Sequence, residues 1–336
     1  MKRILYIGNE LSHSGKTATT IDTLSKLLET EGYIVHTASN KKNKLLRLLD
    51  MLLTIMKLFK EVDYVLIDTY STQNFYYAYL CSCLCRMLKL RYIPILHGGN
   101  LPNRLKRNPK LSRAIFKGAY VNVAPSEYTK SKFEALGYEN TTCIANAIEI
   151  ENYPFEKKVL NAVKMLWVRS FSELYNPNLA IKTLYELKQK NVESSLCMVG
   201  PENDGTLEKA KDYAKSLDLD VTFTGKLSKK EWIALSVDCN VFINTTNFDN
   251  MPVSVIEAMA LGLPVVSTNV GGMPFLIETN KDGVLIEPND STAFVNAILD
   301  LKEKPEKTLN LTIKARRKVE GYDWSFVKLK WHAILK

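Results

Sequence analysis

The sequence predicts an α/β protein with two domains, each built around a doubly wound parallel β-sheet. Its 336 residues are enough for two domains of ordinary size. Short aliphatic runs alternate with helical patterns along the whole chain, which is typical of parallel sheets. These runs are apolar along nearly their full length, as strands covered by helices on both faces must be.

Candidate strands fall into two sets of six. The first set covers residues 3–8, 33–39, 64–70, 92–97, 120–125 and 142–147. The second set covers residues 164–169, 195–200, 221–225, 241–245, 264–268 and 283–287. Residues 149–161 contain Pro154 and a charged stretch, and they interrupt the pattern as a linker would. We therefore expect an N-terminal domain over residues 1–153 and a C-terminal domain over residues 160–320.

Composition indicates a globular protein, with 46% hydrophobic and 24% charged residues. The start of the chain lacks the pattern of a signal peptide, and no long uncharged apolar stretch predicts a membrane-spanning helix. The six cysteines lie mainly in apolar runs, which favours reduced and buried thiols. From these features we expect a cytoplasmic protein.

Charge is distributed unevenly between the two halves. Residues 1–160 hold 23 Lys/Arg and 14 Asp/Glu, whereas residues 161–336 hold 22 of each. Within the first half, the stretch from Lys41 to Lys117 has 15 basic and 4 acidic residues. A basic surface confined to one domain predicts an anionic partner for that domain.

An acidic pair marks the most informative segment of the second half. Asp249 and Glu257 are eight positions apart, and Pro252 between them is expected to open a helix at its first position. Backbone N–H groups of residues 250–254 would then point out of the helix start, where they attract phosphates. Carboxylates accept hydrogen bonds from sugar hydroxyls. A nucleotide sugar is a ligand that has both the phosphates and the sugar hydroxyls.

This segment resembles the donor-site signature of retaining glycosyltransferases with the GT-B fold, of the group 1 or family 4 type. That family usually has Glu, seven residues and a second Glu, then Ala-Met-Ala-x-Gly-x-Pro-Val-Val and a Gly-Gly turn. Here Asp249 and Glu257 are the two acids. The matching residues that follow are Ala258, Met259, Ala260, Gly262, Pro264, Val265, Val266, Gly271 and Gly272.

The resemblance implies a GT-B fold, in which two Rossmann-like domains face each other across a cleft. It implies that the C-terminal domain binds the donor and that the N-terminal domain faces the acceptor. The last helix, residues 322–336, would cross back onto the N-terminal domain, anchored by Trp324, Phe326 and Trp331. A plain amphipathic C-terminal helix is the alternative.

The resemblance also implies roles for individual donor-site residues. The first acid would contact the transferred sugar and the second the ribose, with Asp249 one methylene shorter than the usual Glu. Arg169 would bind the donor diphosphate, and Tyr175 stands where the family has a second cation, so Lys226 could replace that charge. The predicted donor-binding residues are Arg169, Gly200, Lys226, Asp249, Asn250, Met251, Pro252, Val253, Ser254 and Glu257.

Two features of the first half complete the predicted site. His97 ends a strand before Gly98 and Gly99, where it would touch the sugar or, alternatively, only close a turn. With Asp249 and Arg169 it forms the predicted catalytic set. The resemblance implies that Gly15 and Lys16, at a helix start, approach the donor phosphates or the acceptor; a simple loop that uses glycine for turning is the alternative. A P-loop is excluded because Glu10 occupies the position of its first glycine.

The basic region has two interpretations. Residues 41–60 form a very apolar helix with a narrow polar stripe, which is typical of a membrane-surface helix or of a helix buried against the sheet. We favour burial. The segment after His97 is expected to be an exposed loop that faces the acceptor or an anionic bilayer. Its basic residues are Arg104, Lys106, Arg107, Lys110 and Arg113.

The predicted function is transfer of a hexosyl or N-acetylhexosaminyl group, with retention of configuration. The donor would be a nucleotide diphosphate sugar, UDP-linked rather than GDP-linked, and the acceptor a glycan or a lipid-linked saccharide in polysaccharide or cell-surface glycan synthesis. We expect no metal, no other cofactor and no nucleic acid, and peripheral contact with the cytoplasmic membrane. A non-catalytic sugar-nucleotide binding protein and an epimerase of the same fold are the alternatives.

Overall fold

The computed structural model describes residues 1–10 and 19–336. These residues form two compact units. Unit 1 contains Met1–Ala147 and Trp324–Lys336, and unit 2 contains Ile148–Asp323. Each unit has one sheet of six parallel strands, and all twelve predicted strands are present. The α/β prediction is confirmed.

Unit 1 begins with six alternating strands and helices. Its strands are β1 (Arg3–Ile7), β2 (Ile34–Ala38), β3 (Tyr64–Thr69), β4 (Arg91–Leu96), β5 (Asn122–Ala124) and β6 (Thr141–Cys143). Its helices are α1 (Thr20–Thr30), α2 (Lys44–Leu58), α3 (Asn74–Met87), α4 (Leu101–Arg107), α5 (Pro109–Phe116) and α6 (Glu127–Glu134).

Unit 2 repeats this alternation. Its strands are β7 (Val163–Val168), β8 (Ser194–Val199), β9 (Thr222–Gly225), β10 (Val241–Asn244), β11 (Val265–Thr268) and β12 (Val284–Ile286). Its helices are α7 (Pro177–Gln189), α8 (Thr206–Ser216), α9 (Lys229–Leu235), α10 (Val253–Ala260), α11 (Met273–Leu276), α12 (Ser291–Glu303) and α13 (Pro305–Glu320).

The last helix, α14 (Trp324–Ile334), returns to unit 1 and packs on the sheet face that α1 also covers. Trp324 and Trp331 are buried there beside β1 residues, and Glu31 accepts a hydrogen bond from the Trp324 indole at 3.2 Å. Phe326 is exposed, so the prediction that it anchors the helix is wrong. Two residues after Trp324, it lies away from the face that α14 buries.

The strand order differs between the two sheets and defines where each sheet changes direction. In unit 2 the order is β12-β11-β10-β7-β8-β9, so the winding reverses between β7 and β10. In unit 1 the order is β2-β1-β3-β4-β5-β6, and the reversal lies between β1 and β3. Open α/β sheets bind ligands beyond the carboxyl ends of their strands at such a reversal. These two places are therefore the first to inspect for a site.

The interior follows the apolar patterns of the sequence. Cys81, Cys85 and Cys239 are buried, and burial raises the pKa of the Cys85 and Cys239 thiols to about 12. Such thiols are protonated and act as packing residues. Across residues 1–10 and 19–336, no helix is long and apolar enough to cross a membrane.

Candidate functional site

The reversal point of unit 2 brings Arg169 and Asp249 together. Arg169 directly follows β7, and Asp249 lies between β10 and α10. Because β7 and β10 are hydrogen-bonded neighbours, their carboxyl ends meet at the same edge of the sheet. The Arg169 guanidinium donates from Nη2 to Oδ2 of Asp249 at 2.5 Å. Two residues predicted for separate roles thus form one ion pair.

Arg169 is held by further contacts. Its Nε donates to the Asn244 side-chain oxygen at 3.4 Å, and its guanidinium carbon lies 5.0 Å from the centre of the Tyr175 ring. A guanidinium on an aromatic face gains a cation–π attraction. Burial raises the pKa of the Tyr175 hydroxyl, with Arg169 opposing the shift. Tyr175 stands where the resemblance led us to expect a second cation. Its ring instead packs against the first cation, Arg169.

The segment before α10 differs in two details from the expectation. Pro252 caps the helix with φ −68° and ψ 121°, and the first helical residue is Val253. The Asn250 N–H was predicted to point freely out of the helix start. It instead donates to Oδ1 of Asp249 at 2.7 Å. The short Asp side chain folds back onto its own backbone. The Ser254 hydroxyl is buried and has no hydrogen-bond partner among the residues described.

Glycines hold the backbone of this site in place. A Cβ on Gly271 or Gly272 would lie 2.0 Å from the carbonyl oxygen of Asp249 or Asn250 respectively, and the Gly272 N–H donates to Asp249 O at 2.9 Å. A Cβ on Gly200, which follows β8, would lie 1.7 Å from the Arg169 carbonyl oxygen. Only glycine permits these close approaches. Gly200 therefore supports the backbone of Arg169.

Glu257 lies in the second turn of α10 and is 4% exposed. Its Oε1 accepts a hydrogen bond from the Tyr153 hydroxyl at 2.6 Å and forms an ion pair with Lys229 Nζ at 2.7 Å. Burial, and then the Glu257 charge, raise the pKa of Tyr153. The sequence analysis missed both partners. The sequence contains a signal for Lys229, because it is a second lysine, three residues after Lys226, and it begins α9.

The remaining predicted donor residues line the same edge of the sheet or the loop before α10. Met251 and Pro252 are buried, and Val253 is half-buried. Lys226 is exposed and follows β9, which β8 separates from the strand of Arg169. Its role as the replacement cation stays a prediction.

In unit 1, the reversal point holds a second cluster around His97. His97 follows β4, and its Nε2 lies 2.7 Å from Oδ1 of Asp68 in β3. The Tyr6 hydroxyl donates to the same oxygen at 2.9 Å, and the Tyr70 ring stacks on the imidazole with centroids 4.8 Å apart. A carboxylate at Nε2 favours a proton there, which leaves Nδ1 as the acceptor of a neutral ring.

Asp68 was missed, although it interrupts the otherwise apolar run YVLIDT. Its side chain is 1% exposed, and its second oxygen is buried without a hydrogen-bond partner among the described residues. A Cβ on Gly8, the residue after β1, would lie 2.6 Å from that oxygen. A buried carboxylate is costly unless it is paired, and His97 and the Tyr6 hydroxyl provide that pairing at Oδ1.

The basic segment after His97 is not a loop. It forms α4 and α5, and Pro102 and Pro109 each lie in the first turn of their helix, where a missing N–H costs nothing. Arg107 is exposed, but Arg104 is half-buried, so its predicted exposure is wrong. Its guanidinium packs on the ring of Phe75 at 4.7 Å, because Leu101 and Leu105 turn that side of α4 inward.

Gly15 and Lys16, predicted for a phosphate or acceptor loop, lie outside the described residues. Within the described residues, no group of three His, Cys, Asp or Glu side chains is arranged to hold a metal ion.

Comparison with known proteins identifies glycosyltransferases of polysaccharide biosynthesis as relatives. The amylovoran biosynthesis glycosyltransferase AmsK of Erwinia amylovora is 26% identical over 250 residues, 70% of this chain and 61% of that protein. The putative colanic acid biosynthesis glycosyltransferase WcaL of Escherichia coli is 24% identical over 241 residues, 67% of this chain and 59% of that protein. The chain thus spans about three fifths of the length of these curated relatives.

Solved structures share the fold over nearly the whole chain. Sucrose-phosphate synthase from Thermosynechococcus elongatus matches with a TM-score of 0.81 and 15% identity, covering 99% of this chain and 98% of that one. Anabaena HepE in complex with UDP-glucose matches with a TM-score of 0.80 and 18% identity, covering 100% and 99%. The family model for glycosyl transferases group 1 matches residues 149–318, just over half of the sequence. The chain belongs to the glycosyl transferases group 1 family, and its fold is GT-B.

Proposed function

We propose that the protein transfers a hexosyl or N-acetylhexosaminyl group from a nucleotide diphosphate sugar to a glycan or lipid-linked saccharide, with retention of configuration. Membership of the family and the polysaccharide-synthesis relatives support the reaction class. The observation that carries the proposal is the Arg169–Asp249 pair at the reversal point of unit 2, with Glu257 in the second turn of the helix that follows Asp249. UDP is the favoured nucleotide, since the similar HepE structure contains UDP-glucose.

In this proposal the ion pair opens when the donor enters. A diphosphate competes with Asp249 for the Arg169 guanidinium, which matches phosphate geometry through two parallel N–H donors. Tyr175 and Asn244 keep the guanidinium oriented during the exchange. The released Asp249 carboxylate can then accept hydrogen bonds from hydroxyls of the transferred sugar. Donor binding and sugar recognition are thereby coupled.

The nucleotide is proposed to reach Glu257 by a similar exchange. Lys229 is more than half exposed, so its contact with Glu257 contributes little stability and can be displaced at low cost. Ribose hydroxyls would take the place of the ammonium group, and the Tyr153 hydroxyl would continue to orient the carboxylate.

The leaving diphosphate carries the charge that the site must stabilise. Arg169 and the start of α10 supply hydrogen-bond donors for this charge without a metal ion. One of these donors is the Ser254 hydroxyl, which has no hydrogen-bond partner among the described residues. His97, oriented by Asp68, is proposed to contact the sugar. We assign no protein nucleophile, because the leaving phosphate can assist the acceptor on the same face of the sugar.

Calorimetric titration with UDP-, GDP- and ADP-sugars tests the donor site. We expect micromolar binding of one nucleotide class, lost in Arg169→Ala and in Glu257→Gln, which preserves the shape of the buried side chain. Matched controls are Arg317→Ala and Glu303→Gln, both exposed in unit 2. If no donor binds, or if both site variants bind like the wild type, the donor assignment is wrong.

A second assay separates transfer from the two alternatives. Incubation of the preferred donor with a mixture of oligosaccharides and lipid-linked saccharides should give a product whose new linkage has the donor's anomeric configuration by NMR. Binding without product would identify a sugar-nucleotide binding protein. A changed sugar on the recovered nucleotide would identify an epimerase.

A further inference from the structure

Helix α2 is apolar on two opposite faces. Its buried residues, Arg47, Met51 and Ile55, lie on one side of the helix. The large apolar side chains on the opposite side are each 55–74% exposed, and they are Leu45, Leu46, Leu49, Leu53 and Met56. Their spacing places all five within about 100° of the helix circumference. The expectation that α2 is buried against the sheet is therefore correct for one face only.

Helix α3 extends this exposed surface. It lies beside α2, because the Tyr77 hydroxyl donates to the Lys44 carbonyl at 3.1 Å and Lys44 Nζ donates to Gln73 at 2.7 Å. Its exposed apolar residues, at spacings of four and seven, are Tyr76, Leu80 and Met87. Eight of the eighteen large apolar side chains that are exposed in the described chain thus belong to two adjacent helices. Patches of this kind mark interaction surfaces.

Lysines surround the apolar surface. Five exposed lysines lie at the two ends of α2. Lys41, Lys42 and Lys44 are at its start, and Lys57 and Lys60 are at its end. In the described part of the chain, no salt bridge involves any of these five residues. Residues 69–126, which include α3, α4 and α5, contain nine Lys or Arg and no Asp or Glu. The partner of this surface must therefore accept both apolar side chains and positive charge.

We propose that α2 and α3 dock unit 1 onto an anionic lipid bilayer, with the leucines in the acyl–headgroup boundary and the lysines among the lipid phosphates. An interfacial helix has this combination of an apolar face and flanking lysines. At 15 residues α2 is too short to span the bilayer, so it lies in the plane of the surface. The inference is independent of the proposed donor site, which lies in unit 2.

A second copy of the chain is a poorer occupant. In a two-fold dimer the same surface would meet itself, which would place the lysine clusters of two copies against each other. Like charges brought together at an interface oppose association. An anionic bilayer satisfies the lysines and the leucines together.

Flotation of the full chain with lipid vesicles tests the proposal. We expect binding to vesicles of phosphatidylcholine mixed with phosphatidylglycerol, little binding to phosphatidylcholine alone, and release by high salt. Leu49→Glu combined with Leu53→Glu should weaken partitioning at least about tenfold. Lys42→Gln and Lys57→Gln should weaken it by about fivefold each. Because all four side chains are exposed, the thermal midpoint should change little.

The matched control is Leu329→Glu on α14, an equally exposed leucine of unit 1 outside the surface. It should bind vesicles like the wild type. The proposal fails if the wild type does not bind anionic vesicles, or if the double leucine variant binds them as strongly as the wild type. A wild type that is dimeric by light scattering, and becomes monomeric in the leucine variant without loss of vesicle binding, would assign the surface to self-association instead. Donor titration of the same variants separates this failure from a failure of the proposed function.

Discussion

The two sheets place different chemistry at equivalent positions. At the reversal point of unit 2, Arg169 and Asp249 form an ion pair whose side chains are 14% and 18% exposed. At the reversal point of unit 1, His97 and Asp68 are 9% and 1% exposed; the Tyr6 hydroxyl donates to Asp68, and the Tyr70 ring stacks on His97. In the proposed function, the first pair exchanges partners with an entering anion, and the second holds one imidazole in a fixed orientation. The more open pair is therefore the proposed exchangeable site, and the more enclosed pair is the proposed rigid one.

The largest effect should come from a glycine that packs against the backbone of the unit 2 site. Gly272→Ala would place a methyl group against the Asn250 carbonyl, so the free energy of unfolding should fall by about 2–4 kcal/mol and donor binding should disappear. Gly205→Ala is the control, because its Cβ would meet no atom within 4 Å. It should cost about 1 kcal/mol for its positive φ alone. Equal losses in urea denaturation of the two variants would contradict the close approach.

Asp249→Asn tests whether the half-buried ion pair of unit 2 is exchangeable. The amide has the same shape but releases Arg169, so the affinity for the free nucleoside diphosphate should be unchanged or higher. Sugar transfer should fall about a hundredfold. Calorimetry and initial rates measure the two effects separately. A parallel loss of nucleotide affinity would mean that the pair is a fixed structural element, like the cluster in unit 1.

Arg169→Lys examines the geometry of the same pair. Lysine keeps the charge but loses the planar fork and the stacking on Tyr175, so donor affinity should fall about tenfold. Arg317→Lys, on the exposed surface of unit 2, should leave it unchanged. Donor affinity equal to the wild type in Arg169→Lys would show that charge alone suffices.

Asp68→Asn probes the rigid cluster. Without the carboxylate, the preference for a proton on Nε2 of His97 is reduced, and the transfer rate should fall about tenfold with the donor KM unchanged. Nitrogen-15 NMR of the imidazole should report the altered tautomer, which a purely structural role of Asp68 would not change. Partial recovery of the rate in Asp68→Glu would support positioning. An unaltered His97 spectrum would contradict it.

The smallest effect is expected at an exposed ion pair away from either reversal point. The backbone N–H of Arg3 donates to Asp63 at 2.8 Å and lowers the pKa of that carboxyl. Burial opposes this shift, and the neighbouring Lys2 ammonium adds to it. A lowered pKa gives stability that is present above the usual value near 4 and is lost as the pH falls through the folded pKa. Asp63→Asn should therefore cost less than about 0.5 kcal/mol at pH 7 after solvent screening, and the cost should be smaller at acidic pH. Urea denaturation at both pH values measures it.

The sequence was sufficient for the local elements. All twelve strands and the acidic segment with its glycine turn were predictable, because backbone propensity and apolar periodicity act over a few residues. Family membership followed from one ordered motif. Two local expectations were wrong. Pro252 caps α10 instead of opening it, and the segment expected to be a loop after His97 forms α4 and α5, each with a proline in its first turn.

Strand order and pairing were decided only by the tertiary structure. Neighbours in the sheet are far apart in the chain, so no local pattern shows that β7 lies beside β10 or that Arg169 meets Asp249 eighty residues later. The same holds for Asp68 beside His97 and for Lys229 on Glu257. It holds equally for the exposed leucines of α2, since the periodicity of a helix that is apolar on two faces does not reveal which face the sheet covers.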